Sequence, residues 1–275
     1  MPLFNFSQEE LLSFFAVLVR YSVLFSVLPF VGDRHVPNSV KVLLSLSVTL
    51  ALFPALVSSG EVKPGEALIW GAQAGSIAGT IAMEVIIALV LGFTARMIFE
   101  SINFGANLVG NFMGFAAASS YDPHQESQSQ IIAQLQMAIA MLIFLAIDGH
   151  HLMLRAALDS YQWAGIGGRG VFGQIQFNPA FSQKLVEVTG QVFKFGIQIA
   201  APVAICIFAV NVAFGVVAKA MPQLNILVLS FAVTTLLGFA ALFMSLPEFT
   251  GAVSNLFGRM DDWMMIMMKS LATGK

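Results

Sequence analysis

The chain has 275 residues, of which 57% are hydrophobic and 10% charged, with 13 basic and 15 acidic side chains and a mean hydropathy of +0.82. That balance places it in the membrane class rather than among soluble domains. The near-neutral charge and the absence of a Lys/Arg block exclude a nucleic-acid phosphate backbone as an expected partner.

In chain order, MPLFNFSQEE puts Glu9 and Glu10, not Lys or Arg, ahead of the first apolar run, and no small-residue cleavage site follows. The first helix is therefore expected to be retained. Apolar runs fall at about residues 11 to 31, 40 to 57, 67 to 98, 131 to 147, 192 to 217 and 223 to 246, most of them near the length a spanning helix needs. Six spans are expected in an all-α protein. The third run is too long for one simple span, so it is one long tilted helix or two segments. Pro29, Pro54, Pro202 and Pro222 lie in or at the ends of these runs and predict broken rather than straight helices. Under a six-span reading, Arg34, Lys41, Arg96 and Lys219 oppose Lys63, Arg259, Lys269 and Lys275, so the positive-inside rule gives no orientation. Such a tie fits helices held within an assembly.

Arg20 and Glu84 stand inside apolar runs, where an unpaired charge is costly. They are expected to pair with each other, the alternative being that each snorkels to a helix end. Every fourth residue of the third run gives Ala72, Ser76, Thr80, Glu84, Ala88, Gly92, Arg96 and Glu100, beside a second row of Gly71, Gly75 and Gly79. Small-xxx-small rows let helix backbones approach closely, so this helix is expected to be packed against by partners.

The stretch GANLVGNFMGFAAASSYDPHQ, residues 105 to 125, reads as the centre of the chain. Gly105, Gly110 and Gly114 each disfavour a regular helix by about 1 kcal/mol relative to alanine, so a bend is expected there. Between them sit Leu108, Val109, Phe112, Met113 and Phe115, before the Asp122-Pro123 break. A flexible backbone carrying large apolar side chains suits a hydrophobic pore plug, and it equally suits a loop of ordinary core residues.

Asp148, Gly149, His150 and His151 combine a carboxylate with two imidazoles, which is metal or acid-base chemistry in principle. Adjacent histidines on a helix point about 100° apart and no third ligand lies nearby in sequence, so a helix start with Asp148 or Gly149 at the cap is expected, and no metal. The run from Gly165 to Gly170 matches G-x-G-x-x-G but lacks a preceding strand, which leaves a loop. Lys184, Glu187, Gln191, Lys194 and Gln198 form a polar stripe opposite Leu185, Val188, Val192, Phe195 and Ile199, an amphipathic entry into the fifth run. Cys206 is the single cysteine, so no intrachain disulfide forms, and it reads as a small buried hydrophobe. No nucleophile elbow, zinc-helix motif or phosphate loop appears, and neither an enzyme nor a cofactor is expected.

Read with its surroundings, LAIDGHHLMLRAALDSY, Leu145 to Tyr161, resembles the FliR family of flagellar export-gate proteins. Lys219 to Ile226, containing Pro222, Gln223 and Asn225, with Gly238 downstream, is similar to that family's Pro-Gln-Leu-Asn box. Leu28-Pro29 with Val36-Pro37 and Lys41 is similar to its N-terminal box, and the likeness runs from about residue 5 to 260. The resemblance implies kinked helical hairpins assembling into a helical pore complex. Its FliP-like part would cover 1–190 and its FliQ-like hairpin 191–260, with a C-terminal tail at 261–275. It further implies assembly with FliP and FliQ, cooperation with FlhB and FlhA, and export of unfolded flagellar proteins at the bacterial inner membrane, in the flagellar basal body. On that likeness a pore plug falls on 105–121, with Phe112 and Phe115 as its bulky groups. An injectisome export-gate subunit and a secondary transporter built around Arg20 and Glu84 are the alternatives, and a metalloenzyme at His150 and His151 is a third class.

Overall fold

The computed structural model describes residues 7–29, 31–32, 36–115, 128–168, 179–221, 223 and 226–272. Among these residues the elements are all helical: α1 Gln8–Val27, α2 Asn38–Ser58, a 3₁₀ turn Pro64–Glu66, α3 Ala67–Trp70, α4 Ala74–Phe112, α5 Gln128–Ala146, α6 Gly149–Trp163, a second 3₁₀ turn Ile166–Gly168, α7 Pro179–Ala220, α8 Ile226–Met244, α9 Leu246–Gly258 and α10 Met260–Ala272. Local chemistry sets several ends. Ser7 caps α1 reciprocally with Glu10: its hydroxyl accepts from the Glu10 amide at 3.2 Å while the Glu10 carboxylate accepts from the Ser7 amide at 2.8 Å. Leu28, followed by Pro29, closes the same helix.

Four of these helices, α1, α2, α4 and α7, are long and apolar enough to cross a membrane, and counting each of two bent pairs as one span makes six. The broken pairs fall on the fourth and sixth apolar runs. The third run belongs mainly to α4, a single helix of 39 residues. At 1.5 Å per residue it is about 60 Å long, twice the roughly 30 Å hydrocarbon core of a bilayer. α7, with 42 residues, is as long. Proline is not what interrupts the helices internally, because Pro54 and Pro202 lie inside α2 and α7, which continue through them. One lost backbone hydrogen bond is tolerated in a helix whose other bonds are intact. The interior breaks fall instead after Ala146 and at Ser245.

The chain divides into two compact units, 1–97 with 150–187 and 259–275, and 98–149 with 188–258. In the first, α1 packs on α2, where Phe14 and Phe53 meet edge to face at 5.5 Å, and α3 lies against α1. Val17, Tyr21 and Leu24 of α1 and Ile87 and Leu91 of α4 are fully enclosed. α10 joins this core through buried Met264, Met267 and Met268, and its Lys269 Nζ stands 4.7 Å over the Trp163 ring. At the start of α7, Lys184 pairs with Glu187 at 2.6 Å.

In the second unit, Val109 and Met113 of α4 pack with Ile132, Ala200, Val203, Ile207 and Leu242. Phe99, Phe144 and Phe257 form an aromatic cluster with centroids 4.7 to 5.2 Å apart. Val188 and Ile199 on the apolar face of α7 are buried, whereas Lys194 and Gln198 on its polar stripe are exposed. Cys206, expected to be buried, is only half so, because α7 has apolar residues on more faces than this unit covers. Large apolar side chains accordingly stay exposed on α7 and α8, among them Ile205, Phe208, Val216, Leu236 and Phe243.

Candidate functional site

A charge inside an apolar helix must bring its partner with it. Arg20, on the buried face of α1, does so across 64 positions: its Nε donates to Glu84 Oε2 at 2.6 Å and its Nη2 to Glu84 Oε1 at 3.0 Å, a bidentate pair with both side chains wholly buried. Further donors of the same guanidinium are engaged as well. Nη1 donates to Ser160 Oγ at 2.9 Å, Nη2 to the Ala164 carbonyl at 2.9 Å, and the guanidinium carbon lies 3.6 Å above the Tyr161 ring. Glu84 in turn accepts the Gly167 amide at 2.7 Å. Gly167 has φ +69°, and a Cβ there would approach Thr80 Cγ2 to 3.0 Å, so only glycine lets the turn close on the carboxylate. Gly167, inside the glycine run read as a loop, is therefore the clasp of this ion pair, while residues 169 and 170 of that run lie outside the described residues.

The second site is the end of α4. Contrary to the expected bend, the helix runs unbroken through Gly105 and Gly110 to Phe112. Backbone approach explains it: a Cβ on Gly105 would lie 2.7 Å from the Gly196 carbonyl oxygen, so two glycines let α4 and α7 cross in contact. Packing gained at that crossing outweighs the intrinsic cost of glycine in a helix. The turn comes at Gly114, with φ +90°. Just before it, Met113 is fully buried in a notch made by Gly238 of α8, where a Cβ would sit 2.6 Å from Met113 Cγ. Phe115 is half-buried between Phe231 and Phe239, with ring centroids at 6.2 and 6.5 Å, while Phe112 is 44% exposed. Of the stretch read as a plug, residues 116–121 lie outside the described residues.

The Asp-Gly-His-His box is a corner. Asp148 adopts φ +56° and ends α5, its amide donating to the Leu145 carbonyl at 3.1 Å. Gly149 opens α6, and a Cβ there would run into the Phe144 ring. Asp148, His150 and His151 are all exposed, with the two imidazoles 4.2 Å apart.

The row of small residues divides. Gly71 lies beside Leu12, and Gly92 seats Val27, each where a Cβ would come to about 3 Å. Gly75 and Gly79 have no described heavy atom within 4 Å of such a Cβ, and Arg96 is exposed. Gln223 is exposed, whereas Pro222 and Asn225 lie outside the described residues. Sequence reasoning missed Ser160, Tyr161 and Gly196. A signal existed only for Tyr161, an aromatic among polar neighbours, because what Ala164 and Gly167 contribute are backbone atoms.

The long apolar helices and the internally neutralised charge pair define a multi-helix membrane protein. The chain belongs to the bacterial export proteins, family 1, whose profile matches residues 11–260. It is similar to the flagellar biosynthetic protein FliR of Pectobacterium carotovorum subsp. carotovorum, 27% identical over 263 residues, covering 94% of each chain. It is also similar to the proteins of the same name from Escherichia coli K12, 25% identical over 89% of this chain and 88% of that one, and Bacillus subtilis 168, 25% identical over 89% and 90%.

Proposed function

We propose that this chain is a subunit of the flagellar type III protein export gate, assembling with FliP and FliQ into an inner-membrane-associated channel of the flagellar basal body for unfolded flagellar proteins, and working with FlhB and FlhA. The observation that carries this reading is the family match over residues 11–260, joined by near full-length likeness to proteins named for flagellar biosynthesis. Exposed apolar residues along α7 and α8 suit faces that lipid or other subunits cover. Gly75, Gly79 and Arg96 on α4 are positions for partner helices, as are the Pro222, Gln223 and Asn225 box and the FliQ-like hairpin over 191–260.

In this reading the segment from Gly105 to Phe115 and onward to 121 is the plug. Gly105 holds its stem against α7, Gly110 lies further along the same stem, Met113 on Gly238 seats it, Gly114 turns the chain, and Phe112 and Phe115 supply the bulk that excludes water. The Arg20–Glu84 clasp is scaffold rather than a transport site, because its bonds to Glu84, Ser160 and the Ala164 carbonyl already occupy the guanidinium from inside the same unit. The test is affinity purification of the tagged chain from cells that swim, with the bound chains identified by mass spectrometry. FliP and FliQ recovered in fixed ratio support the reading; a chain that is recovered intact, folded and without either of them overturns it.

A further inference from the structure

The first unit carries a cleft of about 450 Å³ that the export reading leaves unused, formed where α2, the first 3₁₀ turn, α3 and the end of α6 converge. Its lining includes Glu61, Lys63, Glu66, Trp70, Tyr161 and Trp163. The volume lies in the range of small-ligand sites. Two carboxylates beside aromatic rings suit a cation, and the chain's own Lys269 ammonium, 4.7 Å over Trp163, already uses one of those rings in that way. A lysine on the same wall suits an anion. Tyr161, 2% exposed, adds a buried hydroxyl with no hydrogen-bond partner among the described residues. The cleft lies beside the ends of apolar helices, and tryptophan is a residue type enriched where proteins meet lipid headgroups. Leu68 and Ile69, which precede Trp70 on α3, are 57% and 68% exposed.

We propose that this cleft binds the headgroup of a zwitterionic phospholipid bearing a primary amine, of the phosphatidylethanolamine type. Its ammonium is taken by Glu61, Glu66 and the Trp70 ring, its phosphate by Lys63, and its acyl chains lie along Leu68 and Ile69. A soluble amine would have no use for the exposed leucine and isoleucine, and an anionic lipid would face two carboxylates.

The protein has three tryptophans, so a Trp263→Phe background leaves Trp70 and Trp163 as reporters. The full chain, purified with whatever subunits accompany it, is reconstituted in vesicles of mixed phosphatidylethanolamine and phosphatidylglycerol. One lipid at a time carries brominated acyl chains that quench tryptophan fluorescence. Quenching by the brominated phosphatidylethanolamine should exceed that by brominated phosphatidylglycerol about fivefold in apparent affinity, the scale of exposed ion pairs, and Glu61→Gln with Glu66→Gln should bring the two together. Lys63→Glu should weaken both lipids without reversing the order. Equal quenching by the two lipids overturns the proposal, as does a preference that survives the double variant. Full relief of quenching by soluble phosphoethanolamine, indifferent to the acyl chains, assigns the cleft to a soluble ligand and equally overturns it. Circular dichroism and elution volume matched to the parent qualify each variant, and a variant that fails them is replaced by Glu61→Asp with Glu66→Asp, for which an intermediate preference is expected and an unchanged one counts against the proposal.

Discussion

Arg20 shows how one residue can be both a liability and a fixed point. Its guanidinium is wholly buried, bonded to Glu84, Ser160 and the Ala164 carbonyl, so removing one partner strands the other in an apolar interior. Arg20→Ala or Glu84→Ala should each cost about 3 to 5 kcal/mol, whereas Arg20→Met with Glu84→Leu should cost less than either, because no charge is left behind. Thermal unfolding of the detergent-solubilised protein checks this, and a double variant as damaged as the worse single one would refute the ion-pair account. At the Asp148 corner, His150→Ala and His151→Ala should leave export unchanged, since both rings are exposed and the corner rests on Gly149 against Phe144. A zinc-rescued loss of export in assembled complexes would contradict that.

At the scale of elements, what matters is how α4 meets α7 and α8. Gly105→Leu should push α4 off Gly196 and abolish assembly, as overpacking a backbone crossing leaves no side chain free to yield. Phe112→Ala with Phe115→Ala, by contrast, should leave assembly intact and let small ions cross the inner membrane. The decisive comparison is ion leak per assembled complex, and a leak-tight, fully assembled double variant would sink the plug. Gly238→Ala should unseat Met113, costing about 1 to 3 kcal/mol, and Met113→Ala in the same chain should recover part of it. These elements also mark where the sequence was legible. Arg20 and Glu84 could be paired because a charge in an apolar run demands an opposite one. Gly105 was misread as a hinge because glycine's helix penalty is local, whereas the contact with Gly196 that overrides it is made by a backbone far along the chain, and the helix so held runs on through Gly110. Likewise the run at Gly165 to Gly168 spelled a loop, but nothing in its letters says that an amide will cap a distant carboxylate.

For the whole molecule, the exposed apolar residues of α7 and α8 set the expectation that the chain expressed alone aggregates or is degraded, and that co-expression with its export partners rescues it. A monodisperse, stable monomer in mild detergent would count against this. The family match over residues 11–260 and the helical architecture agree at this scale, since composition alone already required a bundle of apolar helices. The order in which the chain is made gives the Arg20 clasp a temporal side. Glu84 is synthesised 64 residues after Arg20, and Ser160 140 residues after Arg20. At roughly 5 to 20 residues per second, the arginine waits about 3 to 13 s for its carboxylate and about 7 to 28 s for the serine. During that interval the first helix carries a bare cation, so it must be sheltered at the insertion machinery or held at the water boundary, and its final depth in the bilayer is settled only once α4 arrives.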